Sequence, residues 1–115
     1  MVIVDQATIR VEGSYTEPST DADGVAISDL AYTNVYYKIG SAPAVRGPQV
    51  PATSPEGGGD VTTSLLIPVP AGQRVSVQFW VTATDLLGLE SAPTTTSTLQ
   101  IDRVPPAAPT NFSIA

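Results

Sequence analysis

The chain has 115 residues, a net charge of −6, only 14% charged residues, and neither cysteine nor histidine. That inventory excludes disulfide staples, thiolate nucleophiles, imidazole metal sites and imidazole acid–base relays. The five cations stand singly at Arg10, Lys38, Arg46, Arg74 and Arg103, so the clustered positive charge needed to displace counterions from nucleic acid is missing, and an anionic membrane would repel the chain. In chain order, residues 2–4 (Val-Ile-Val) form a short apolar piece, read as a first strand. Residues 7–15 follow, with Ile9, Val11 and Tyr15 alternating against Arg10, Glu12 and Ser14, the period-2 signature of a half-buried strand. A polar loop occupies residues 16–26, marked by Glu17-Pro18 and Asp23-Gly24 as turn signals. Residues 32–39 read as a third strand, with Val35, Tyr37 and Ile39 on one face and Tyr32, Asn34, Tyr36 and Lys38 on the other.

Residues 40–60 are rich in Gly and Pro, including Gly57-Gly58-Gly59, and read as loop with one short edge strand at 45–50. Alternation returns at Val61, Thr63, Leu65, Ile67 and Val69, and Pro68 and Pro70 end that strand. In residues 73–85, Val75, Val77, Phe79, Val81 and Ala83 alternate with Ser76, Gln78, Trp80, Thr82 and Thr84. This predicts an apolar inward face and a polar outward face that carries Trp80, the only tryptophan. Residues 85–90 read as a turn, and residues 94–101 as the closing strand. Short strands spaced by turn signals, with no helical stripe, predict an all-β domain at 1–103, of sandwich type. Residues 104–115 form a Pro-rich C-terminal tail.

Residues 7–37, with Tyr15-Thr16-Glu17-Pro18, Asp23-Gly24, Asp29-Leu30-Ala31 and Val35-Tyr36-Tyr37, resemble the first half of bacterial fibronectin type III domains. The run Phe79-Trp80-Val81-Thr82-Ala83-Thr84-Asp85, followed by Gly88, Glu90-Ser91 and Ala92-Pro93, is similar to that family's sixth strand and the turn into its seventh. The resemblance covers about residues 7–102. It departs at Tyr15, where the family usually has a core tryptophan, and at Val77, where its corner tyrosine is expected. It implies a seven-stranded immunoglobulin-like β-sandwich of fibronectin type III topology with an extended tail. The family binds or spaces other molecules and has no common active site, so no enzyme activity and no cofactor are expected.

Several constellations invite sharper readings. Glu17, Asp21, Asp23 and Asp29 are oxygen donors of the type calcium takes, but position twelve counted from Ser19 is Leu30, so the closing bidentate glutamate is absent and an Asp-Gly turn is the expectation. A glycosidase pair needs two carboxyls held across a cleft, which one loop does not supply. Arg46-Gly47-Pro48 lacks the aspartate of an Arg-Gly-Asp adhesion tripeptide and reads as a turn. Trp80 and Tyr36 share the outward face of neighbouring strands. With Tyr32, Asn34, Gln78 and Thr82 they form an expected exposed aromatic patch, the composition of an interface hot spot or, secondarily, a sugar-stacking surface.

In the tail, Phe112 and Ile114 fall on one face of an extended segment, suited to adding a strand to a neighbour's open edge. No apolar run approaches the ~20 residues that span a bilayer, and no export signal is apparent at the amino end. The expected function is therefore non-catalytic. The leading reading is a phage virion structural protein (decoration, neck or tail component) bound through Trp80, Tyr36, Tyr32, Gln78, Phe112 and Ile114 to other virion subunits or copies of itself. The alternative is a spacer or glycan-binding module of a secreted bacterial multidomain protein.

Overall fold

The computed structural model describes residues 8–111, 113 and 114; the expected strand at residues 2–4, and Phe112, lie outside them. Among the described residues six strands are present: β1 (Thr8–Thr16), β2 (Leu30–Ile39), β3 (Val45–Pro51), β4 (Asp60–Pro68), β5 (Arg74–Asp85) and β6 (Ser97–Asp102). They form two antiparallel sheets, β1-β4 and β3-β2-β5-β6, and no described residue is helical. The protein is an all-β sandwich in which a two-stranded layer faces a four-stranded one.

Register explains the core. Val35 pairs with Val81, Tyr37 with Phe79 and Ile39 with Val77, so these six side chains share the inward face of the central pair. Against them pack Leu65, Ile67 and Val69 from β4 and the segment just after it, with Ile9, Val11 and Tyr15 from β1 and Ile101 from β6. Val77, Ile67 and Val69 are fully buried, each worth about 1.5–3 kcal/mol relative to exposure. Tyr15 fills a core position but keeps a polar tip, and its hydroxyl shares a 2.5 Å hydrogen bond with Thr33 Oγ1. Val77 is wholly enclosed, with no tyrosine at that position.

Two irregularities set side-chain direction. Leu30 pairs with Asp85 and Tyr32 with Thr84, so Ala31 is an extra residue. That bulge turns Leu30 into the interior (5% exposed) while Tyr32 stays on the outward face. On the other edge, Asn34 pairs with Gln49 but Tyr36 with Arg46, which leaves Gly47-Pro48 as a bulge. The expected turn at Arg46-Gly47-Pro48 is thus part of edge strand β3. Proline suits such a site because the edge asks for no further donor, and a Cβ on Gly47 would lie 2.9 Å from the Val35 carbonyl oxygen.

Two of the connections that cross between the sheets, β1 to β2 and β3 to β4, meet at one end of the sandwich. There Glu17, 3% exposed, accepts hydrogen bonds from the Thr53 amide (2.9 Å), the Thr53 hydroxyl (2.6 Å) and the Gly59 amide (3.1 Å). Burial pushes its pKa up, but the three donors outweigh that and hold it below the ordinary glutamate value. The glycine run is shaped to this contact. A Cβ on Gly57, at φ 68°, would fall 1.9 Å from the Pro18 carbonyl oxygen, and one on Gly59 would fall 2.2 Å from Thr53 Oγ1.

At the opposite end Arg103 fixes the root of the tail. Its backbone joins Gly72 and Gln73, and its Nη1 donates to the Val69 carbonyl at 2.7 Å. Beyond it, residues 104–111 are exposed and carry no regular structure.

Because the folded pKa of Glu17 is depressed, its stabilisation is present above the unfolded value near 4.3 and is lost as pH falls through the folded value. Glu17→Ala should cost about 2–3 kcal/mol at neutral pH and flatten the acid limb of stability below about pH 4, as read by urea unfolding across pH. Gly57→Ala, which adds both strain and a backbone clash, should cost at least about 2 kcal/mol.

Candidate functional site

The outward face of the four-stranded sheet carries the most distinctive side chains. Tyr36 on β2 and Trp80 on β5 are directly opposed, and cross-strand neighbours hold their Cβ atoms about 5 Å apart. Their rings stack with centroids 5.7 Å apart and planes 5° from parallel, within the favourable range for offset aromatic pairs. Both side chains are half-buried. Arg46 stands across from Tyr36 on β3, so one row runs Arg46, Tyr36, Trp80 over three strands.

Glu90, just after the turn that follows β5, locks this arrangement. Its Oε2 accepts from the Tyr36 hydroxyl at 2.7 Å and from the Thr82 hydroxyl at 2.5 Å. The hydrogen bonds from Thr82 and Tyr36 hold the Glu90 carboxyl below its ordinary value, with a further contribution from Arg46. Reciprocally, the hydrogen bond to Glu90, with some burial and the carboxylate's charge, raises the Tyr36 hydroxyl above 10.0. The phenol is therefore held protonated as a donor, and its ring cannot swing away from Trp80 without abandoning an anion.

The expected patch is only partly exposed. Asn34 and Thr82 share the predicted face but are buried, at 2% and 6% exposure, together with Thr84 at 4%. The cause is a polar ladder beneath Glu90 in which Asn34 Nδ2 donates to the hydroxyls of Thr82 and Thr84, at 3.1 Å each. Asn34 Oδ1 has no partner among the described residues. Tyr32 is half-buried on the same face, and Gln78 is exposed opposite Lys38. The structure thus brings Tyr36 and Trp80 into contact, with Tyr32 and Gln78 on the same face. Ile114 is 89% exposed on the tail, and Phe112 lies outside the described residues.

Two of the loop acids, Glu17 and Asp21, are committed to backbone hydrogen bonds. Asp21 Oδ1 accepts from the amides of Asp23 and Val25 while the Gly24 amide donates to the Asp21 carbonyl. Among the described residues no group of three or more carboxylates is placed to hold a metal ion. Asp85 repeats the device, with its Oδ1 accepting from the amides of Leu87 and Leu89 and Gly88 closing the turn at φ 87°. The second copy displays Leu86, Leu87 and Leu89 at 72%, 83% and 67% exposure. This apolar tip was not singled out from sequence, although three leucines inside a turn are an unusual placement for residues that normally seek the interior.

No family model, curated protein or solved structure matches the chain.

Replacing Glu90 with Gln should return the Tyr36 pKa toward 10.0 and loosen the stack. The ring ¹³C resonance of Tyr36 followed through an alkaline titration reads the first effect, and Trp80 fluorescence reads the second. An unchanged Tyr36 titration would show that Glu90 does not govern it.

Proposed function

We propose that this chain is a non-catalytic interaction and structural domain of fibronectin type III-like architecture. Its contact surface is the outer face of the four-stranded sheet, and its setting is a phage virion, as a decoration, neck or tail component. The observation that carries the reading is the Tyr36–Trp80 stack. Two large amphipathic rings, half exposed at the centre of a sheet, are already ordered by Glu90, so a partner that covers them loses little side-chain entropy. The order β1-β4 against β3-β2-β5-β6 supports the family reading. The absence of histidine and cysteine, and the commitment of Glu17, Asp21, Asp85 and Glu90 to structural hydrogen bonds, support a non-catalytic role.

The test supplies tagged variants to phage whose own gene is deleted and measures the copies per purified particle. Trp80→Ala should reduce incorporation at least tenfold. Its unfolding midpoint should fall by only about 4–8 °C, corresponding to the ~1 kcal/mol of a lost aromatic pair. Incorporation at the unmodified level would overturn the reading of this face. Retention on immobilised glycan that is lost in Trp80→Ala, with no particle association of the intact chain, would place the protein in the secreted glycan-binding class instead.

A further inference from the structure

Among the described residues the two layers of the sandwich are unequal, and the mismatch leaves one side open. Among the described residues β1 pairs only with β4, so the other edge of β1 presents backbone donors and acceptors that no described strand engages. On the facing sheet, Leu99 of β6 pairs with Val77 and therefore points inward. Val77 is completely buried, yet Leu99 is 41% exposed, and no described strand of the smaller sheet covers it. Between the β1 edge and β6 lies a groove of about 430 Å³, lined among others by Val11, Tyr15, Phe79, Val81 and Leu99.

We propose that a second copy of this chain fills that groove by donating residues 110–114 of its tail as a strand beside β1. This deepens the reading of the protein as an assembly component, on which it rests, by naming one partner. Four observations select the occupant. The donor alternates, with Phe112 and Ile114 on one side and Asn111 and Ser113 on the other, so a strand there sends two apolar side chains into the groove while its backbone meets the β1 edge. Residues 104–115 carry no charged side chain, so a domain of net charge −6 does not repel them. Ile114 is 89% exposed.

Reach then decides between a chain's own groove and another's. The tail root is pinned by Arg103 to Val69 and Gln73. Pro105, Pro106 and Pro109 favour an extended course, in which residues 104–109 carry the donor roughly 19 Å outward at ~3.1 Å per residue. A return to the same groove would require reversing through that proline-rich spacer. Asn111, at φ 58°, must extend on seating, and asparagine tolerates both conformations. Donor and acceptor are different surfaces, so the contact is head-to-tail and propagates as an open string rather than closing into a dimer.

The probe is a synthetic peptide of residues 104–115, titrated into the full-length chain carrying both Phe112→Asp and Ile114→Asp, which accepts but does not donate. The expected result is saturable binding with shifted amide resonances at Val11, Gly13, Tyr15, Phe79 and Leu99, and new exchange protection along β1. Binding should weaken at least tenfold in Leu99→Asp, with Leu99→Thr as the milder substitution should the first disturb the fold. In sedimentation equilibrium the unmodified chain should gain mass with concentration while the double variant stays monomeric.

Absence of peptide binding up to millimolar concentration overturns the proposal, as does binding that Leu99→Asp and Leu99→Thr both leave unchanged. It is overturned equally if the outer β1 amides of the double variant are protected before peptide is added, which would assign the groove to residues 1–7 of the same chain. The titration contains no virion and spares Trp80, so its failure leaves the incorporation test of the aromatic face standing.

Discussion

One buried carboxylate holds together the parts of this sandwich that no ladder joins. Among the described residues, no strand of one sheet is hydrogen-bonded to a strand of the other, so packing and the crossing connections must set their relation. Glu17 lies in the connection from β1 to β2, and its three donors lie in the connection from β3 to β4. Each connection passes between the layers, and the carboxylate ties one to the other. Burying an anion without a cation is ordinarily unfavourable; here fixed amide and hydroxyl dipoles replace the lost water. The arrangement demands that the backbone come very close, which is why Gly57 and Gly59 stand where any Cβ would collide.

With that end fixed, the two faces of the large sheet serve different purposes. The inward face is aliphatic and anchors the core, most completely at Val77. The outward face is polar except for a rigid aromatic centre, and its polar groups are largely spent on one another. Glu90, Thr82, Asn34 and Thr84 form a continuous chain of donors and acceptors beneath the rings. Such a network is worth more as a geometric constraint than as net stability. It converts Tyr36 and Trp80 from two surface aromatics into one oriented feature.

The sequence made the alternation in β2 and β5 legible because side-chain period survives any amount of loop uncertainty. The phase that sends Val35, Tyr37 and Ile39 inward and Tyr36 and Trp80 outward is the one observed. Burial on the outward face was not legible. Asn34, Thr82 and Thr84 have the polarity of solvent-facing residues, and only the fold-back of Glu90, a contact with no local signature, encloses them. The same limit applies to Gly57-Gly58-Gly59. Composition suggests a slack loop, whereas the conformation is dictated by a glutamate some forty residues earlier. Single-residue insertions at Ala31 and at Gly47-Pro48 also leave no trace in periodicity, yet the first decides which way Leu30 and Tyr32 point and the second bends the β3 edge.

The paired aspartate turns, at Asp21 and Asp85, separate architecture from content. In each, the first residue supplies the acceptors, the fourth is a glycine that permits the reversal, and the fifth closes the loop through its amide and carbonyl. The side chains between, Ala22 and Asp23 in one turn and Leu86 and Leu87 in the other, take no part in that closure. Those positions are free to vary without disturbing the strands on either side. They are therefore natural places for this molecule to accept grafted recognition sequences or to diversify its contacts by mutation.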